Sequence, residues 1–247
     1  MIERNLVAYW RTWTILLSGF FEPLFYLLSI GVGIGDLIGE VEGPNGQLVE
    51  YREFVAPGML AASAMNGAVL DSTYNVFFKL KYAKTYDAVL ATPLTVAHVT
   101  YGEIGWAVMR GTIYSGAFLV VMAVLGLVQS WWGILALPAA MLIALAFAAV
   151  GMIGTSFMRT WQDFMWINLT VLPLFLFSTT FYPLDVYPDV LQWIVRLTPL
   201  YHGVVLVRSL TLGVFGADLL PHLAYLVVMS ALGLVLAARR MERLLVK

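Results

Sequence analysis

The chain offers few residues that could do chemistry. Its three histidines, His98, His202 and His222, are far apart in sequence, with no H-E-x-x-H and no pair at i, i+4, so no metal site is expected. No cysteine is present, which removes thiolate zinc sites, disulfides and a cysteine nucleophile. The glycines Gly31, Gly33, Gly35 and Gly39 are followed by no lysine of a phosphate-binding loop. They fit close helix packing, as in Gly35-x-x-x-Gly39. No catalytic residue is expected. Two acids, Glu22 and Asp71, lie well within apolar runs. A carboxylate at mid-bilayer costs about 2.5–3.5 kcal/mol on insertion scales, and its default reading is functional. Glu22 precedes Pro23, whose missing N–H frees a carbonyl, so the pair marks a kink or helix start facing protein. Asp71 shares its run with Ser63, Asn66, Ser72, Thr73 and Asn75. This polar side suits interhelical hydrogen bonding, and equally a substrate path or proton coupling.

The elements that position these residues are membrane helices. Of 247 residues, 61% are hydrophobic and 12% charged, against about 25% charged in an average soluble domain. An ordinary soluble globule and a disordered chain are both excluded. The net charge of −1 provides no basic field, so no nucleic-acid partner is expected. A membrane helix needs about 20 apolar residues. Six runs qualify, at 14–35, 54–77, 102–128, 132–154, 164–181 and 219–238. The predicted fold is an all-α membrane protein of six transmembrane helices in one domain, 1–247. Residues 203–217 are too short for a seventh and read as a lead-in to the sixth.

Basic residues orient the helices. Arg4, Arg11, Lys79, Lys81, Lys84, Arg110, Arg159, Arg239, Arg240, Arg243 and Lys247 fall on one side; only Arg52, Arg196 and Arg208 fall on the other. Both termini are therefore expected in the cytoplasm. Residues 1–13 read as an amphipathic interface helix with Trp10 and Trp13 at headgroup depth. The loop 78–101 carries Lys81 and Lys84 beside Tyr86, Val89 and Leu90. That apolar patch has no local core to join and suggests docking to another protein. Thr92 and Pro93 end it. Outside, 182–200 reads as a re-entrant hairpin. Asp189 caps a short helix bearing Leu191, Trp193, Ile194 and Leu197, and Pro199 stops it.

In this order the parts resemble the type-2 ABC exporter permeases, in the branch of nodulation-factor (lipo-oligosaccharide) and antibiotic-resistance export permeases. The resemblance rests on Glu22-Pro23, Phe54-Val-Ala-Pro-Gly-Met, Lys81-Tyr-Ala-Lys-Thr-Tyr-Asp-Ala-Val-Leu-Ala-Thr-Pro-Leu, Gly102-Glu103, Phe181-Tyr-Pro-Leu and Thr198-Pro-Leu-Tyr-His-Gly-Val-Val-Leu-Val-Arg208. It implies a non-catalytic permease subunit in a bacterial plasma membrane that moves an amphipathic cargo outward. A separate ATPase, present in two copies, would hold the ATP and Mg; this chain holds no cofactor. A second permease copy or a related chain completes the complex. Residues 81–94 would be the coupling helix, with Lys81, Lys84, Tyr86, Asp87, Val89, Leu90 and Pro93 at the ATPase. The first and fifth spans would face the other permease and border the path, with Glu22, Phe25, Asp71, Asn168, Thr170, Pro173, Phe175 and Phe177 as path residues. Pro183, Asp189, Trp193 and Pro199 would shape the outer hairpin. The short outer loops depart from the sterol-transport relatives of animals. The rival reading is a stand-alone ion-coupled transporter using Glu22 or Asp71.

Because the chain lacks cysteine, single-cysteine labelling reads its topology directly. Gln47→Cys is expected to react with a membrane-impermeant maleimide on intact cells, and Ala88→Cys only after permeabilisation. Labelling in the reverse order would invert the topology.

Overall fold

Long apolar stretches leave the backbone no hydrogen-bond partner but itself, so the chain is helical almost throughout. The computed structural model describes Phe21 and residues 24–245. The expected interface helix 1–13, and Glu22 with Pro23, lie outside the described residues. A π-helical turn, Leu27–Val32, leads to a one-turn helix, Gly35–Ile38. Then comes a small departure from the all-α expectation. Strands β1 (Glu40–Glu42) and β2 (Leu48–Glu50) pair antiparallel, with Val41 opposite Val49. Asn45 (φ 64°) and Gly46 (φ 74°) take the left-handed conformations that a tight hairpin turn requires.

Helix α1 (Tyr51–Leu70) passes without interruption into a π-helical turn, Asp71–Asn75, and then into α2 (Val76–Lys81). A short helix α3 (Thr85–Leu90) follows. The spans α4 (Val96–Val124) and α5 (Ala136–Phe157) come next. Helix α6 (Phe164–Phe177) is only 14 residues long, about 21 Å, short of the roughly 30 Å hydrocarbon core. Helices α7 (Asp189–Leu197) and α8 (Pro199–Leu212) form a hairpin bent by 85°, and α9 (Leu219–Leu245) closes the chain. Among the described residues three single helices, α4, α5 with its preceding turn, and α9, are long and apolar enough to cross a membrane.

Two expectations change here. The short helix α7 ends at Leu197, directly before Thr198-Pro199, where Pro199 was expected to stop it, but Pro199 also opens a new helix. It is the first residue of α8, where its missing N–H is tolerated. The hairpin therefore takes up residues 203–212 of the expected lead-in, and α8 buries Leu200, Val204, Val207 and Arg208 against α1 and α5. Asp189 is likewise the first helical residue, with no side-chain cap bond. It faces the helix dipole instead of capping it.

Helices α1, α4 and α5 form the centre, with α8 and α9 packed on them. Glycines let the backbones approach. A Cβ on Gly67 would lie 2.8 Å from the Tyr114 ring and 2.9 Å from Gly111 Cα. One on Gly111 would lie 2.7 Å from the Ala64 carbonyl and 2.9 Å from Ala144 Cβ. Helix α6 stands apart; of its own residues only Phe164 is buried. Gly111→Val is expected to destabilise the detergent-solubilised protein by about 1–3 kcal/mol through overpacking. Gly154→Ala, which meets open space, should leave the melting temperature unchanged or slightly higher. Equal effects of the two would contradict the packing at Gly111.

Candidate functional site

The polar side of the second span is a built site, and it centres on Asp71. The Asp71 side chain is 2% exposed, inside an apolar bundle. Its Oδ2 accepts from Arg110 Nη1 at 3.1 Å and its Oδ1 from Asn75 Nδ2 at 2.8 Å. Arg110 is itself only 7% exposed and donates through Nε to the Tyr114 hydroxyl at 2.8 Å. Roughly two turns further on, Lys79 Nζ meets Glu103 Oε2 at 2.7 Å. Two ion pairs thus join the Asp71–Lys81 stretch to the antiparallel α4, roughly 11 Å apart along the helices. Arg110 was expected on the cytoplasmic side. It lies instead roughly 21 Å along α4 from Val96, as a partner for Asp71. Glu103, at the very start of the expected third run, is a second buried acid.

The π-helical turn has a local cause. Ser72 and Thr73 turn their hydroxyls back to the Val69 carbonyl, which competes with the ordinary helical ladder. The Ser72 carbonyl accepts from Thr155 Oγ1 of α5 at 2.9 Å. Gly151 leaves the room, since a Cβ there would lie 2.2 Å from Ser72 Oγ. Single π turns inside α-helices are often found at functional sites.

The loop between α2 and α4 differs from its expected form. Tyr86 is 1% exposed and belongs to the core, with Val89 and Leu90 packed against it. The apolar patch is therefore not stranded; the loop folds it onto the bundle. What remains exposed between Lys81 and Leu94 is Lys81, Tyr82, Ala83, Lys84, Asp87, Ala88, Ala91, Thr92, Pro93 and Leu94. Lys84 starts α3 in the left-handed region (φ 45°, ψ 34°), an uncommon conformation for a side chain other than glycine, asparagine or aspartate. Past the loop, Thr95 and His98 form a reciprocal cap on α4, which accounts for His98 structurally.

On the opposite side Arg208 is 4% exposed. It donates through Nε to the Phe54 carbonyl at 3.0 Å and through Nη2 to the Thr179 carbonyl at 2.7 Å, and its guanidinium lies 3.7 Å from the Phe54 ring centroid. Gly58, one turn on from Phe54, lets Thr180 approach, with a Cβ there only 3.0 Å from its backbone. Two of the motif strings, with the residues that directly precede the Phe181-Tyr-Pro-Leu string, therefore meet at one point. Thr179 has φ 56°, and the guanidinium bond anchors that strained residue. His202 and His222, distant in sequence, come together with their Nδ1 atoms 2.7 Å apart. One ring donates and the other accepts. Tyr225 stacks on His202, with centroids 4.0 Å apart, and its hydroxyl donates to the Leu197 carbonyl at 2.8 Å.

The expected path residues do not share one cavity. Asn168 and Phe175 line a cavity of about 350 Å³ together with Tyr26, Asn66 and Tyr74. Thr170 lines a larger cavity on the other flank of α6, with its hydroxyl bonded to the Trp166 carbonyl. Phe177 lies near Tyr187, their centroids 6.3 Å apart. Phe25 is exposed, stacked on Phe21. Pro173 sits inside α6. In the outer hairpin, Pro183 borders a shallow pocket with Asp185 and Tyr201, and Trp193 is exposed beneath the Arg196 guanidinium. Before α6, Asp163 accepts from the backbone N–H groups of Thr160 and Arg159. Those bonds, Thr160 first, hold its carboxyl below the usual range.

Long apolar helices tied by buried ion pairs define a multi-pass helical membrane protein. The comparisons sharpen that class. Residues 1–212 match the family model described as ABC-2 type transporter. "Nodulation protein J" of Rhizobium leguminosarum bv. trifolii is 34% identical, over 98% of this chain and 92% of its own. Its namesake in R. leguminosarum bv. viciae is 31% identical, over 98% and 93%. Another, from Rhizobium meliloti strain 1021, is 31% identical over 85% and 82%. The chain belongs to the ABC-2 type transporter family and is a membrane subunit of such a transporter.

The buried pair yields a double-mutant test. Arg110→Ala alone should destabilise by about 3–5 kcal/mol, because it leaves Asp71 buried and uncompensated. Asp71→Leu combined with Arg110→Leu should recover most of that loss in the same denaturation assay. Additive losses would show that the two charges are not coupled.

Proposed function

We propose that this chain is the permease subunit of an ATP-driven exporter of amphipathic cargo. It works with a separate ATPase, in the plasma membrane, with six spans and both termini in the cytoplasm. The observation that carries the proposal is the short helix α3. It begins at the strained Lys84, presents an exposed polar and small-residue face, and lies on a loop whose two flanking helices are clamped by Lys79 and Glu103. Such a projection suits the cleft of a partner protein. Its docking residues are the exposed Lys81, Lys84, Asp87, Ala88 and Pro93, while Tyr86, Val89 and Leu90 brace α3 from behind. ATP and Mg would sit on the partner, two copies of it serving two permease chains. The likeness to the nodulation proteins supports a lipo-oligosaccharide or similar amphiphile as cargo. The cavity between Tyr26, Asn66, Asn168 and Phe175, which joins two amides to aromatic rings, has the mixed lining such a cargo calls for.

The ion-coupled alternative draws no support from Asp71. Its carboxylate is already held by Arg110 and Asn75, whereas a proton carrier needs a group that exchanges its proton.

Ala88→Arg puts bulk and charge on the exposed face of α3 while leaving the buried Tyr86 untouched. It is expected to abolish co-purification of the ATPase encoded with this chain, and transport with it, at an unchanged melting temperature. Undiminished pairing and transport-stimulated ATP hydrolysis would refute the placement of α3. Tyr86→Ala should instead lower the melting temperature.

A further inference from the structure

The larger cavity beside α6 has no part in the reading above. It spans about 750 Å³ between α5 and α6, with Val69, Thr73, Pro199 and Met229 of neighbouring elements on its wall, within the roughly 300–1,000 Å³ of small-molecule sites. It runs along α5 from Phe147 to Phe157, and along α6 from its start to Leu174. That is about 15 Å of helix, which matches the hydrocarbon depth of one leaflet, half of roughly 30 Å. Its walls are apolar. The hydroxyls that border it, of Thr73 and Thr170, are bonded to the carbonyls of their own helices, Val69 at 2.6 Å and Trp166 at 2.9 Å. A sugar would find no free partner there; an alkyl chain needs none. Gly154 lies on the α5 wall, where a Cβ would meet nothing within 4 Å.

The mouth is cationic, at the end of the bundle that also carries the Lys79–Leu94 loop. Arg159 lies at the rim. The carboxylate beside it, Asp163, accepts from two backbone N–H groups and attracts Arg159 without forming a close ion pair with it, so that Arg159 with Arg240 leaves the mouth net positive. Arg240 lies over the rim residue Phe157, 4.1 Å from its centroid, and donates to Ser156 Oγ at 3.3 Å. An apolar slot one leaflet deep, with arginines at headgroup level, matches a single amphiphile with an anionic head.

We propose that the slot between α5 and α6 is a binding site for one anionic glycerophospholipid of that leaflet, with an acyl chain along Gly154 and Trp166 and the phosphate on Arg159. This occupant is distinct from the cargo, whose proposed cavity, with its two amides, lies on the other flank of α6. The lipid would wedge α6 away from α5, consistent with how little of α6 is buried in the chain alone.

Native mass spectrometry of the purified full-length chain, titrated with phosphatidylglycerol and separately with phosphatidylcholine, tests this. Wild type should keep one phosphatidylglycerol per chain under delipidating detergent, at least tenfold more tightly than phosphatidylcholine. Gly154→Phe fills the slot and should lose that lipid by tenfold or more, while Gly154→Ala keeps it. Arg159→Gln should retain a lipid but bind the two headgroups alike. Should Gly154→Phe fail to fold, Gly154→Leu takes its place, with melting curves as the check. Equal retention of the two lipids by wild type, or an unchanged phosphatidylglycerol adduct in the folded slot-filling variant, overturns the proposal and leaves only an unspecific annular lipid.

Discussion

A carboxylate buried inside an apolar helical bundle must find a cation, and the core of this protein is arranged to bring Arg110 to Asp71. The pair sets the register of α1 and α2 against α4. Gly67 and Gly111 then permit the helix approach that the short ion-pair distance requires. The π-helical turn aims Asp71 and hands the Ser72 carbonyl to Thr155, and Gly151 clears the space. Each of these small residues makes sense once the pair is in place, and none of them is explained by hydrophobic packing alone. A buried ion pair is a poor source of stability compared with apolar residues of the same shape. Its use here is specification, because two long apolar helices could otherwise slide past one another at little cost.

The sequence made the class of fold legible because membrane helices announce themselves by length and apolarity. The α4, α5 and α9 spans appear where expected, although each helix runs several residues past its apolar run. The extension of α9 carries its arginine-bearing end, and a hydropathy criterion stops short of it. Asp71 was legible as an anomaly, but its partner was not. Arg110 resembled a topogenic loop charge because nothing local distinguishes a lysine or arginine flanking a span from one inside it. Tyr86 shows the opposite failure. An apolar patch in a loop reads as a docking surface until tertiary structure provides a core for it. The histidines show a third. His202 and His222 are separated in sequence by the rest of α8 and a loop, and only the reversal of the chain after Gly213, which packs α9 back on α8, brings them together.

The two ends of the bundle are built differently. At the end that carries the α7–α8 hairpin one cation, Arg208, holds carbonyls from two separate elements and a ring, fixing a segment whose backbone is strained at Thr179. At the other end, paired charges and a reciprocal cap brace a short helix that the core holds from behind. Helix α6 lies between these ends with cavities on both flanks. A helix so weakly held by its own chain depends on lipid or on a neighbouring chain for its position.

The two charge bridges from the Asp71–Lys81 stretch to α4 also have a mechanical meaning. One bridge would act as a pivot and let the helices swing about it. Two bridges, separated along the axis, remove that freedom and turn the pair into a stiff beam. A force applied at the tip of the intervening loop would then be delivered as torque at the Asp71 end, where the backbone already departs from a regular helix and offers a place to bend.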